Sequence, residues 1–100
     1  MNLAQFKRSL DGAAPPRLAV PLRALWFAAK GDWDKAHALV MDATGAEAAW
    51  VHAYLHRVEG DEGNAGYWYR QAQRKAFTGG VDAEWAEIAA TLLTRRGFRR

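Results

Sequence analysis

Histidine and acidic side chains supply the residue types in this sequence that are best able to do chemistry. His52, His56 and Glu59 follow one another at spacings of four and three residues within the stretch WVHAYLHRVEG. On an α-helix, with about 100 degrees of turn per residue, these spacings bring all three side chains to one flank. Two imidazoles and a carboxylate suit zinc or another divalent ion, and His37 on the preceding helix is a further candidate.

The same histidines have a simpler explanation. Two histidines on one helix often fall four residues apart by chance, and Ala53 follows His52, so the pattern is not the HExxH motif of zinc proteases. We therefore expect histidines that hydrogen-bond at a helix interface or face solvent, and no metal ion or other cofactor. A small metal-dependent or acid/base enzyme that uses His52, His56 and Glu59 is the alternative.

The opposite flank of the same helix combines an aromatic with a basic side chain. Trp50 and Arg57 lie seven residues apart, and such a pair can stack on a planar ligand, grip a carboxylate or phosphate, or brace two helices through a cation–π contact. The next helix adds the string YWYR, in which successive residues turn away from one another. The residues that we predict to line a binding groove are His52, His56, Arg57, Tyr67 and Arg70.

The last six residues, RRGFRR, interleave four arginines with one phenylalanine. Such a segment can contact phosphates and stack on bases, so weak nucleic-acid binding through Arg95, Arg96, Phe98, Arg99 and Arg100 is a second alternative. A basic helix end followed by a solvated terminus explains the same residues, and we do not expect nucleic acid as the partner. Ser9 is the only serine, which argues against Ser/His/Asp hydrolysis.

Length and composition indicate one helical domain. A chain of 100 residues without cysteine can bury a single core but cannot form disulfides or thiolate metal sites. The opening MNLAQFKRSLDGAAPP lacks the apolar stretch of a secretory signal, and no run is apolar and long enough for a membrane span, so we expect a cytoplasmic protein. Residues 31–66 carry two basic and seven acidic groups between basic ends, which argues against one continuous nucleic-acid surface.

Glycine, proline and helical periodicity divide the chain into segments. We predict an N-terminal segment and linker over residues 1–16, two αα-hairpins over 17–76, a C-terminal helix over 80–96 and a basic tail over 97–100. Asp32 and Asp61 follow glycines and are predicted to cap helices, whereas Thr44 and Glu47 form a predicted capping box. No segment alternates with period two for long enough to predict a strand.

The two predicted hairpins repeat one pattern. Gly31-Asp32 recurs 29 residues later as Gly60-Asp61, and at the same offset Ala36 matches Ala65. Small residues at matched positions allow two helices to cross closely. The pattern, with the string YWYRQA, resembles the tetratricopeptide and Sel1-like repeats, over about residues 22–76. The stretches GDWDKAH and WVHAYLHR are also similar to small bacterial proteins that stand alone as one domain.

We therefore predict an all-α, compact bundle of five or six helices, built from two tetratricopeptide-like hairpins and a C-terminal capping helix. The resemblance implies a binding or interaction module rather than an enzyme. Its expected partner is a protein, a peptide or a small anionic ligand, and a homo-oligomer is possible because five tryptophans are many for so small an interior.

Overall fold

Six helices make up the part of the chain that the structure describes, and this part contains no strand. The structure is a computed structural model that describes the backbone of residues 1–98 and the side chains of residues 1–94. The helices are α1 (Leu3–Ser9), α2 (Val20–Ala29), α3 (Trp33–Met41), α4 (Ala46–Val58), α5 (Glu62–Ala72) and α6 (Val81–Phe98). The predicted all-α bundle of five or six helices is confirmed.

The two Gly-Asp corners have the same local structure. Gly31 and Gly60 adopt φ angles of 84° and 88°, a left-handed conformation that a side chain would disfavour. The carboxylates of Asp32 and Asp61 each accept a hydrogen bond from the backbone N–H three residues ahead, at 3.1 Å. Both predicted N-caps are thus confirmed, and each corner begins the second helix of a pair.

The corner between α3 and α4 differs from the prediction. Gly45, with φ 103°, is the N-cap of α4, and no side chain caps this helix end. The predicted capping box on Thr44 is therefore wrong, because the helix begins one residue too late for the Thr44 hydroxyl to hold the N-cap position. Glycine takes this position since its left-handed conformation excludes most other residues.

Helix α4 is the centre of the bundle. It packs against α2, α3, α5 and α6, and every residue from Ala48 to His56 is buried. A helix surrounded by neighbours on all sides has no solvent face to hold its polar groups. Its two histidines therefore lie in the interior, together with the apolar residues that the periodicity predicts.

The matched alanines of the two corners are both core positions. Ala36 is 0% and Ala65 1% exposed, and the helix pairs α2–α3 and α4–α5 pack most extensively. This burial agrees with the packing reason given for the repeat.

The chain ends differ from the predicted segments in extent. Helix α6 continues to Phe98, past the predicted end at residue 96. The side chains of the predicted basic tail, and of Arg95 and Arg96, lie outside those that the structure describes. Among the described residues, none of the helices combines the length and apolarity that a membrane crossing requires.

Candidate metal centre

The three histidines of the chain come together at the contact between α3 and α4. His52 and His56 lie one helical turn apart on α4 and are 3% and 6% exposed. His37 reaches them from α3 and is half-buried. We call these three residues, with Glu59 at the end of α4, the histidine cluster.

Distances within the histidine cluster are close to those of a metal site. The Nε2 atoms of His37 and His52 are 3.1 Å apart. One ring nitrogen from each of the three histidines lies within 4.8 Å of the other two. Three nitrogens bound to one tetrahedral zinc ion, at about 2.0 to 2.1 Å from it, would be about 3.4 Å apart. Small side-chain shifts would therefore bring the three nitrogens into coordination distance.

Glu59 fixes the orientation of His56. Its carboxylate Oε2 lies 2.7 Å from His56 Nδ1, so Nδ1–H donates to the carboxylate in the neutral ring. The lone pair of His56 is then on Nε2. Histidines that bind metals usually donate their second ring N–H to a carboxylate or carbonyl in this way, which sets the tautomer and strengthens the ligand.

Two indole rings hold the other histidines in place. Trp33 stacks on His37 with ring centroids 4.7 Å apart, and Trp68 stacks on His52 at 3.9 Å. The Trp33 indole N–H donates to the Leu55 carbonyl across the interface at 2.7 Å, so this ring is itself anchored. Stacking leaves the ring nitrogens at the ring edges, where lone pairs and N–H groups point.

The hydrogen bonding of His52 is incomplete. Its Nε2 pairs with His37, whereas its Nδ1 is buried and has no partner among the described residues. A buried polar atom without a partner costs folding free energy of about 1 to 3 kcal/mol and, in native proteins, calls for an explanation beyond packing. An apolar side chain at this position would avoid that cost.

Burial favours the neutral form of His52 and His37 by lowering the pKa of each. Desolvation, with the charges of His37 and His56, lowers the pKa of His52 to about 4. The pKa of His37 is also lowered, mainly by desolvation and then by His56. A metal ion binds the neutral imidazole, so protons compete less for this pair than for exposed histidines.

The five residues of the predicted binding groove do not share one surface. His52 and His56 lie in the histidine cluster, as described above. Arg57 points the other way, toward α6, while Tyr67 is 46% exposed and Arg70 is exposed on α5. The structure thus brings together His52, His56 and His37, the histidines considered as metal ligands. It places Arg57 away from them, outside the predicted groove.

Arg57 belongs to a second polar cluster, centred on Glu84 of α6. Glu84 is 0% exposed and accepts hydrogen bonds from Arg57 at 2.7 Å, from the Trp50 indole at 3.3 Å and from the Tyr69 hydroxyl. Arg57 also donates to the Gly79 carbonyl at 2.7 Å. We call Trp50, Arg57, Tyr69 and Glu84 the glutamate cluster. Its donors and acceptors satisfy one another, which is typical of a structural network.

The burial of Glu84 could have been predicted from the helical periodicity of the sequence. Glu84 precedes Ile88 by four residues, which places it on the apolar face of α6. A carboxylate on a buried helix face requires a cation or several N–H and O–H donors. Arg57 is that cation, and Trp50 and Arg57 link α4 to α6 through hydrogen bonds to Glu84. The cation–π contacts of the two residues are with Arg74 and Phe77, so the link differs from the cation–π brace expected for the pair.

Comparisons with known proteins add no family assignment. A scan against protein-family models finds no match, and searches of curated proteins and of solved structures find none either. The resemblance to tetratricopeptide and Sel1-like repeats therefore stays a prediction, and a function must be inferred from the geometry of the site.

Proposed function

We propose that this protein binds a divalent transition-metal ion of the zinc class through His37, His52 and His56. The observation that carries the proposal is the approach of one nitrogen from each histidine to within 4.8 Å of the other two. Helix α4 provides only two of these histidines, so the residue spacing on α4 was not enough to favour a metal site. The third ligand, from α3, is what changes the expectation of no cofactor.

The ligand set indicates which ions fit. Imidazole suits zinc, nickel, cobalt and copper, whereas magnesium and calcium prefer oxygen ligands. The chain has no cysteine, which removes thiolate sites that favour copper(I) or iron–sulfur clusters. Glu59, bonded to His56 Nδ1, would act as the supporting carboxylate.

A bound ion would have one position free for water or another ligand. Three protein nitrogens fill three of the four positions around tetrahedral zinc, and such an ion makes its bound water more acidic. His37 is half-buried, so it provides the side of the site nearest to solvent. The chain's own residues would bind the ion, orient its ligands and shield them between two indole rings.

The test is a titration of chelator-treated protein with zinc or cobalt at pH 7.5. Calorimetry measures zinc binding, and the visible absorption of cobalt monitors cobalt binding. We expect a one-to-one complex with a submicromolar Kd and an absorption spectrum typical of tetrahedral nitrogen coordination. His37→Gln and His52→Gln should each weaken binding by at least tenfold, since each removes one of three ligands.

A matched control is Glu62→Gln, which removes an exposed carboxylate three residues from Glu59 and should leave the affinity unchanged. Circular dichroism must show that each histidine variant keeps the helical fold. A folded wild-type protein that binds zinc only at tens of micromolar or weaker, or with an affinity that the histidine substitutions do not change, would overturn the proposal.

A further inference from the structure

A groove of about 550 Å³ lies between α1, α2, α4 and α6 and shares no residue with the histidine cluster. Ligand-binding pockets usually have volumes of about 300 to 1,000 Å³. The groove is lined by Lys7, Leu10, Ala28, Ala29, Tyr54, Val58, Val81, Asp82, Trp85 and Ala86. Most of these side chains are apolar, so the groove offers a surface for the body of a small apolar molecule.

Two aromatic rings form the most buried part of the groove. Tyr54 is 6% and Trp85 8% exposed. The Trp85 indole N–H donates to the Leu25 carbonyl at 2.9 Å, which satisfies its polar atom and fixes the ring. Alanines beside these rings leave the space that larger side chains would fill. The rings are therefore available to contact a ligand without rearrangement.

Two polar groups of the groove, the Tyr54 hydroxyl and the Asp82 carboxylate, have no side-chain partner within the described part of the chain. The Tyr54 ring is almost fully buried, whereas its hydroxyl reaches solvent at the groove and forms no hydrogen bond within the described part of the chain. Asp82, exposed on the first turn of α6, forms no ion pair within the described part of the chain. A phenolic oxygen can accept as well as donate, and a carboxylate accepts. Together they offer acceptors to a molecule that brings N–H groups.

The charges around the Tyr54 hydroxyl determine whether the groove favours a positively or a negatively charged ligand. Burial, with the negative charges of Asp82 and Glu84, raises the pKa of Tyr54 to about 12. The charged groups that raise the pKa of this hydroxyl are thus acidic, and Lys7, which also lines the groove, is not among the groups that shift it. The ammonium of Lys7 is on an exposed, flexible side chain that can turn toward water. A positive ligand group is favoured beside Asp82, and the aromatic rings favour it as well.

We propose that this groove binds a small amphipathic amine. Its ammonium group would donate to the Asp82 carboxylate and the Tyr54 hydroxyl, and its apolar body would lie on Trp85 and the aliphatic side chains around it. The site is separate from the proposed metal centre, so either can exist without the other.

The test uses three probes that share one phenyl ring: phenethylamine, 2-phenylethanol and 3-phenylpropanoate. Binding to the full chain is followed by nitrogen–proton NMR with increasing probe. We expect phenethylamine to bind at least threefold more tightly than the alcohol, and the carboxylate to bind most weakly. Shifts should be largest at residues 54, 82 and 85.

Two conservative variants test the assigned contacts. Tyr54→Phe removes one hydroxyl and Asp82→Asn removes one charge. Each should lower the affinity for phenethylamine by about threefold to tenfold. Asp82→Asn should also make the affinities for phenethylamine and 2-phenylethanol nearly equal. Asp42→Asn, an exposed carboxylate outside the groove, is the matched control and should change neither.

Thermal unfolding must show that the variants fold as the wild type does. No saturable binding of phenethylamine at millimolar concentration, stronger binding of the carboxylate, or an amine preference that survives Asp82→Asn would each overturn the proposal.

Discussion

The histidine cluster and the glutamate cluster both include residues of α4, and they differ in how completely their polar groups are paired. Glu84, fully buried, accepts from three donors, and its cation Arg57 makes a further bond to Gly79. His52, almost as buried, has one nitrogen without a partner and a depressed pKa. A satisfied buried network stabilises a fold, whereas a buried polar atom without a partner lowers stability and is explained here by the proposed metal site. This difference supports a structural role for the glutamate cluster and the proposed metal-binding role for the histidine cluster.

The largest effect should come from Glu84→Ala. This change leaves the Arg57 guanidinium in a largely buried position without its carboxylate, and breaking such a pair costs about 3 to 5 kcal/mol of unfolding free energy. Urea denaturation measures it.

Glu84→Gln is the control, because the amide oxygen still accepts hydrogen bonds and the loss should be smaller. A loss below about 1 kcal/mol for Glu84→Ala would contradict the structural role of the glutamate cluster.

The second prediction concerns pH and the histidine cluster in metal-free protein. His52 has a folded pKa of about 4, against about 6.5 in the unfolded chain, so the unfolded state takes up the proton first as the pH falls. His37 shifts in the same direction. The stability that His52 contributes is full above pH 6.5 and falls between pH 6.5 and 4, with a total loss of about 3 kcal/mol.

Urea denaturation at pH 7.5, 6 and 5 checks this, with chelator present. His52→Asn, which is polar but does not titrate, should reduce the slope, and Tyr69→Phe in the glutamate cluster should leave it unchanged. An unchanged slope in His52→Asn would contradict the assignment to His52.

The third prediction sharpens the role of Glu59. Glu59→Gln removes the charge that orients His56 Nδ1–H but keeps an acceptor of the same length. We expect zinc affinity to fall by about tenfold to a hundredfold, with little change in stability because Glu59 is partly exposed. Competition against a zinc-binding dye measures the affinity. An effect equal to that of Glu62→Gln would show that Glu59 does not support the site.

Helical periodicity and turn residues were enough to predict the architecture. Gly31-Asp32 and Gly60-Asp61 identify two helix starts, because glycine ends a helix and aspartate caps the next. Gly45 was missed, since the Thr44 and Glu47 pattern also fits a helix start one residue earlier.

The candidate site was only partly predictable. The spacing of His52, His56 and Glu59 placed them on one flank of α4. The approach of His37 to 3.1 Å from His52 depends on how α3 packs against α4, which spacing along one helix does not contain. The side toward which Arg57 points was unpredictable for the same reason, because its partner Glu84 is 27 residues away in the sequence.

The smallest expected effect is a difference in stability between substitutions of two nearby tyrosines, Tyr69 and Tyr67. It tests whether the glutamate cluster is structural and separate from the histidine cluster. Tyr69 is 3% exposed and donates its hydroxyl to Glu84, and burial together with Glu84 raises its pKa far above the usual value. Tyr69→Phe removes one of three donors and should cost about 1 kcal/mol, whereas Tyr67→Phe, at a 46% exposed ring, should cost almost nothing. Neither should change zinc affinity, because both hydroxyls lie outside the histidine cluster. Equal stability losses for the two variants, or weaker zinc binding in Tyr69→Phe, would contradict separate roles for the glutamate cluster and the proposed metal site.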